Sequence, residues 1–272
     1  MPKANKPRFP LLRLIAVLAL LAAAAGPVPA QGRPAVAPNA GAGFSVDGQV
    51  GLHSLIALSD GHLQKMADTL TILASTEAAR SAEWERIRAP LEEVARLNVE
   101  GLNWFALPDG TYWNLDEGLA EGNLADREYF PRVLAGKAVL GDLVVSRATG
   151  RSVAIVAVPV YGADGEEVVG VLGASVYLDE LSQRLEREMR LQPEQIFFSL
   201  DATALVGLHA DPELIFLHPL EEEGEPELQR AVREMLSLEE GQVSYSFRDR
   251  RRMVLYRQSP VTGWWYGFGV IQ

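Results

Sequence analysis

The sequence predicts an α+β protein: a long N-terminal helix followed by two modules, each a five-stranded antiparallel sheet with a helix across it. Three observations predict it. A heptad-like apolar seam runs through Leu52, Ile56, Ser59, Leu63, Met66, Leu70 and Leu73, with Ser59 its one polar member. Past residue 100 the apolar period shortens to two, and turn residues punctuate the strands. The order strand, strand, helix, strand, strand, strand then occurs twice, which marks an internal repeat.

Residues 1–30, MPKANKPRFPLLRLIAVLALLAAAAGPVPA, have a basic start, an apolar run from Leu14 to Ala25, and small residues at Val28 and Ala30. That is the layout of a signal peptide cleaved after Ala30, which makes the mature chain periplasmic or secreted. A membrane-spanning helix needs about 20 predominantly apolar residues, and the run from Leu11 to Ala25 falls short of that before Pro27 and Pro29. The alternative is an uncleaved N-terminal anchor that tethers the protein to the membrane.

Cleavage would remove Lys3, Lys6, Arg8 and Arg13 and no acidic residue, taking the formal net charge from −11 to −15. Such a surface excludes nucleic acid as a partner, because phosphate binding depends on clustered Lys and Arg. Arg248, Arg250, Arg251 and Arg252 form the one basic run and read as a solvated hairpin turn. With no cysteine and 48% hydrophobic residues, the fold must rest on apolar cores, and thiol chemistry, iron–sulfur clusters and Cys-ligated zinc are excluded.

Residues 31–45 are Pro, Ala and Gly with little else and read as a flexible linker. Residues 46–100 form the long helical segment. Its seam packs lengthwise on the modules that follow, Gly61 interrupts it, and Pro90 marks a kink or break in its second part, Ser81 to Val99.

The first module spans 101–191. LNWFALPDGTYWNL is two short strands around the turn Pro108-Asp109-Gly110. A short helix follows from Pro131 to Ala135, closed by Gly136. Pro131 belongs in a first helical turn, so Arg127 to Phe130 form the turn leading in, which frees Arg127 and Tyr129 to point across the sheet. LGDLVVSRA, SVAIVAVPVY and EEVVGVLGASVYL are three strands, joined by turns at Thr149-Gly150 and Gly162–Gly165. A helix from Leu178 to Leu191, with Asp179 as N-cap, leads out. The second, smaller module, 192–272, repeats this order through IFFSLDATALVGLHA, the helix GEPELQRAVREML, and the strands GQVSYSFRD, RRMVLYRQSPV and GWWYGFGVI. WFALPDG parallels FFSLDAT, and VPVY parallels SPVT. Sheets of this kind with a helix across them have a PAS-like build.

LPDGTYW, NLADREYFPRVLAGKAVLGDLVVSRATG, VAVPVY and VVGVLGASVYLDELSQRL together resemble the double Cache sensor domains, the extracytoplasmic ligand-binding regions of bacterial chemoreceptors and sensor kinases. The resemblance runs from about Val46 to the C-terminus and is strongest from Leu107 to Leu185. It implies a membrane-distal and a membrane-proximal PAS-like module behind a long helix, with a small ligand bound in the distal one. In members that bind amino acids, the segment matching Arg127, Tyr129 and Phe130 holds the ligand's carboxylate, and two acidic residues on later strands hold its amino group. Those acidic positions match Ser146 and Ser175 here, both neutral; a one-residue shift in the match brings in Asp142 or Asp179. The implied ligand has a carboxylate or another anionic or polar head and is not a free amino acid.

An Arg fork gives bidentate hydrogen bonds to a carboxylate, roughly twice as strong as neutral ones. Aromatic neighbours wall a pocket and offer a hydroxyl. Tyr112, Trp113, Tyr161 and Tyr177, with Trp104, are the further candidates for that wall. On the residues alone, the better reading is that Arg127 pairs with Asp126, Glu128 or another acid while Phe130 packs under the helix. Trp264, Trp265 and Tyr266 read as core and edge of the second sheet.

No catalytic motif is present, and His209, Asp211 and His218 match no zinc spacing, so neither an enzyme nor a cofactor is expected. The expected function is that of a small-molecule sensor that passes the change to a partner such as an envelope receptor. The alternatives are a solute-binding or scavenging protein without a signalling role, a membrane-tethered sensor fragment, and a structural envelope protein with collapsed pockets.

Overall fold

The computed structural model describes residues 43–272. The signal peptide, its cleavage site and nearly all of the 31–45 linker lie outside the described residues. Helix α1 spans Gly43–Ala74, with Leu63, Met66 and Leu70 fully buried along its seam. Ser59 is buried as well, because its hydroxyl meets that of Tyr266 at 2.9 Å. Beside it Asp60 accepts from Ser259 Oγ at 2.6 Å and from Tyr266 Oη at 3.1 Å. The polar member of the seam is therefore a docking point. Among the described residues no helix is long and apolar enough to cross a membrane.

The break in the helical segment lies before Pro90. Thr76 caps the short α2 (Glu77–Arg80), and Ala82 takes a left-handed conformation, φ 54°, that turns the chain into α3 (Trp84–Leu97). Pro90 sits inside α3, which continues past it.

The first sheet has six strands: β1 (Gly101–Ala106), β2 (Thr111–Asn114), β3 (Gly118–Asn123), β4 (Val139–Val145), β5 (Ser152–Tyr161) and β6 (Val168–Tyr177). Their order is β3-β2-β1-β6-β5-β4, all neighbours antiparallel. The expectation of five strands missed β3. Asn114 Oδ1 accepts from the backbone N–H groups of Asp116 and Glu117, which folds the chain back alongside β2. Helix α4 (Phe130–Leu134) carries Pro131 in its first turn. Helix α5 spans Leu178–Met189; its N-cap is Tyr177, not Asp179, whose carboxylate instead takes Arg151 at 2.6 Å.

The second sheet comprises β7 (Gln195–Leu200), β8 (Val206–His209), β9 (Glu240–Phe247), β10 (Arg250–Gln258) and β11 (Trp265–Ile271), in the order β8-β7-β11-β10-β9. That is the first sheet's order without β3. A 3-10 turn (Pro212–Leu214) and α6 (Pro226–Ser237) connect β8 to β9.

The ladders correct the two sequence parallels. Trp104 pairs with Gly173 and Phe198 with Gly267, and Gly110 and Ala204 hold the same turn position with φ of 85° and 71°. WFALPDG therefore matches FSLDATA, one residue on from the expected FFSLDAT, and a one-residue slip exchanges the two faces of a strand. Pro159 lies inside β5 whereas Pro260 lies beyond the end of β10, so VPVY and SPVT are not equivalent.

One buried core joins α1 to both sheets, through side chains such as Phe105, Val156 and Leu172 from the first and Phe197, Leu255 and Phe268 from the second. The far face of each sheet builds a smaller core of its own: Trp104, Tyr129 and Ile155 belong to one, Phe198, Val232 and Tyr245 to the other. Trp264 spans the sheets, its indole N–H donating to Gly141 O at 3.0 Å.

Candidate ligand-binding site

On the far face of the first sheet, β1, β2, β4, β5 and β6 and the turn before α4 enclose a pocket of about 20 Å³. A single water needs roughly 10–15 Å³, so the pocket is closed around a volume of about one water. Trp104 and Tyr112 line it from β1 and β2, Ile155 and Ser175 from β5 and β6, and Leu124, Arg127 and Tyr129 from the turn. Val144, Ser146 and Arg147 complete the wall at the end of β4.

Strand alternation decides which aromatic residues take part. Trp104 and Tyr112 point to the pocket face. Phe105 and Trp113, one residue on, point to the α1 side, where Trp113 stacks between Trp84 and Phe105 at centroid distances of 6.5 and 6.4 Å. Trp104 reaches Ser175 Oγ with its indole N–H at 3.2 Å and lies 6.3 Å from the Tyr129 ring. Burial pushes the Tyr129 phenol well above its ordinary pKa, with Arg127 opposing the shift, so the hydroxyl stays protonated as a donor.

Of the sequence-predicted residues, Arg127, Tyr129, Tyr112, Ser146 and Ser175 thus surround one pocket. Phe130, Trp113, Tyr161 and Tyr177 stand elsewhere. Phe130 is fully buried in the core beneath α4. Tyr161, near the end of β5, packs over the end of α4, where a Cβ on Gly136 would come within 2.6 Å of its hydroxyl. Tyr177 is covered by the Arg151 guanidinium at 3.7 Å.

Arg147 is the pocket residue that alternation misses. β4 ends at Val145, and Ser146 closes a turn by accepting from Gly150 N–H at 2.8 Å, so Arg147 is no longer bound to the outward side. Its guanidinium grips Asp126 through two bonds of 2.7 and 2.6 Å, which holds that carboxyl below the usual carboxylate range. Arg127 pairs with neither Asp126 nor Glu128; it donates to Val145 O at 2.9 Å and has no ion-pair partner among the described residues. Arg147 is the one basic residue of the SRATG turn.

Arg127, Tyr129, Val144 and Arg147 also line an outer groove of about 730 Å³ that extends to Asp201, Thr203 and Trp264 of the second half. They form a wall one side chain thick between groove and pocket. Asp142, on the groove side, is paired with Arg132. Among the described residues no three His, Asp or Glu side chains converge to hold a metal ion; His209 Nδ1 instead accepts from the Asp211 backbone N–H at 2.8 Å.

Comparison with known proteins places this fold. The ligand-binding domain of the Pseudomonas aeruginosa amino acid chemoreceptor PctB, solved with L-Arg, superposes with a TM-score of 0.65 at 17% identity, covering 82% of this chain and 93% of that one. The sensor domain of the Vibrio cholerae histidine kinase DctB gives 0.62 at 17% identity, covering 85% and 99%. The ligand-binding domain of the Pseudomonas fluorescens chemoreceptor CtaA, solved with L-isoleucine, gives 0.59 at 15% identity, covering 84% and 91%. At such identities the likeness is one of fold. No curated protein matches the sequence. A sequence model of the Cache domain matches residues 52–272, and the chain belongs to the Cache domain family.

Proposed function

We propose that this protein is an extracytoplasmic Cache sensor that binds a small carboxylate or similar anion in the first-sheet pocket and is not an enzyme. The observation that carries this reading is the pocket's charge: two guanidiniums and four hydroxyls line it, and no carboxylate does. A free amino acid brings an ammonium group that needs an acceptor of opposite charge, and none of the lining side chains supplies one. PctB and CtaA were solved with amino acids; the neutral Ser146 and Ser175 favour a different ligand here.

In this reading the chain divides into a distal-type module, 101–191, and a second module, 192–272, behind the helical segment. The ligand arrives from the outer groove, displaces Arg127 from Val145 O and Arg147 from Asp126, and takes both guanidiniums in exchange. Such a movement at the end of β4 reaches α1 through β5 and the shared core, and α1 carries it to an envelope receptor or kinase partner.

A thermal-shift screen of mono- and dicarboxylates against free amino acids, amines and sugars tests this, since a ligand stabilises by RT ln(1 + [L]/Kd). Carboxylates should raise the Tm and amines should not. A shift with free amino acids alone would reverse the ligand assignment.

A further inference from the structure

The second sheet has a cavity at the matching place. It measures about 40 Å³ and lies between α6 and the face of the sheet turned away from α1. The ladders put Trp104 opposite Gly173 and Phe198 opposite Gly267, Tyr112 opposite Ala106 and Val206 opposite Leu200. Val144 opposite Val153 and Tyr245 opposite Arg252 complete the correspondence. Trp104 and Phe198, Tyr112 and Val206, Val144 and Tyr245, and Ser146 and Phe247 are therefore equivalent pairs, and each member lines its own sheet's cavity.

The linings differ in chemistry. The second is apolar except for His209, Tyr245 and Arg252. Tyr245 is buried, yet its hydroxyl has no hydrogen-bond partner among the described residues. The hydroxyl belongs to a side chain that lines the cavity, where it is free to donate to a ligand acceptor. His209 Nδ1 accepts a backbone N–H, which leaves Nε2–H as the donor, and burial lowers the ring's pKa to about 4, so it is neutral at pH 7. Arg252 is half-buried against the Phe247 ring at 4.9 Å, has no ion-pair partner among the described residues, and spends one nitrogen, Nη1, on the carbonyls of Phe247 and Arg250. Its charge is felt by both His209 and Tyr245.

We propose that this cavity is a second ligand site, for a short-chain aliphatic monocarboxylate whose acid group is held by Arg252, Tyr245 and His209 and whose chain lies among Leu214, Leu228 and Val232. Three donors with no acid between them select an acceptor anion. The apolar remainder excludes a second charge, and the small volume limits the chain to a few carbons.

Titration calorimetry of the full chain with sodium butyrate tests the site, with n-butylamine and succinate as controls. A butyrate site should remain in Arg127→Ala, which disables the first pocket, and in that background Arg252→Gln and Tyr245→Phe should each weaken it by about tenfold or more. Butylamine should not bind, and succinate should be unaffected by Arg252→Gln. Tyr245→Phe removes only a hydroxyl without a protein partner and should not lower the Tm, so lost binding cannot be ascribed to unfolding. In histidine-labelled protein the His209 ring signals should shift on saturation. Absence of saturable butyrate binding at millimolar concentration would overturn the proposal. So would binding that survives both second-sheet substitutions in the Arg127→Ala background, or binding abolished by Arg127→Ala alone, which would assign butyrate to the first pocket.

Discussion

Asp60 is the buried acid of the α1 interface, and its surroundings pull its ionisation in two directions. Burial raises its pKa above the ordinary 3.8, and the bonds from Ser259, Tyr266 and Thr262 offset part of that rise. The folded state therefore holds this proton more tightly than the unfolded chain does. The stabilisation is complete below the ordinary carboxylate pKa and is lost as the pH rises through the raised value. Urea unfolding of wild type and Asp60→Asn between pH 4 and 7 should show the wild type losing stability relative to the variant as pH increases; parallel curves would contradict a raised pKa. Ser59 was legible only as a defect in an apolar seam. Its partner Tyr266 lies 207 positions away, a distance that local pattern does not span.

At the scale of elements, the pocket rests on the β1–β6 pair. Gly173 stands opposite Trp104, and a Cβ there would come within 2.2 Å of the indole, which is itself held by Ser175. Gly173→Ala should cost about 1–3 kcal/mol and weaken carboxylate binding, because the indole must leave the pocket wall. Denaturant melts and titration on the same sample check both effects, and an unchanged or raised stability would show that the indole yields freely. The strands and short helices were legible because alternation and turn residues are local signals. Arg147 was not, since it lies just past the end of β4, where alternation stops applying. The sequence places Trp113 in the pocket wall beside Tyr112, but two adjacent strand residues do not share a face, and Tyr112 occupies the pocket side. β3 was missed because GLAEGN has one buried side chain, Ala120, and so no alternating apolar pattern to announce it.

For the whole molecule, the shared core decides cooperativity. Side chains from α1, the first sheet and the second sheet form one buried cluster, so the two halves should not unfold separately. Unfolding in urea should give coincident single transitions by tryptophan fluorescence and far-UV circular dichroism, and Leu63→Ala should cost about 2–5 kcal/mol while keeping them coincident. Two separated transitions would mean that α1 does not bind the sheets into one unit. In the proposed function, the same core would carry the effect of a ligand in one sheet to the other and to α1. The repeated strand order was visible in the sequence; its register was not, because a shift of one residue changes no composition and only the ladder reveals it.

The most direct measurement is a calorimetric titration of the dicarboxylate giving the largest thermal shift, which the second cavity excludes, against wild type, Arg127→Ala and the same ligand's amine analogue. Binding to wild type with an affinity reduced about tenfold or more by Arg127→Ala, and no binding of the amine, is the predicted result. An affinity that Arg127→Ala leaves unchanged would contradict the assignment of the first-sheet pocket as the anion site.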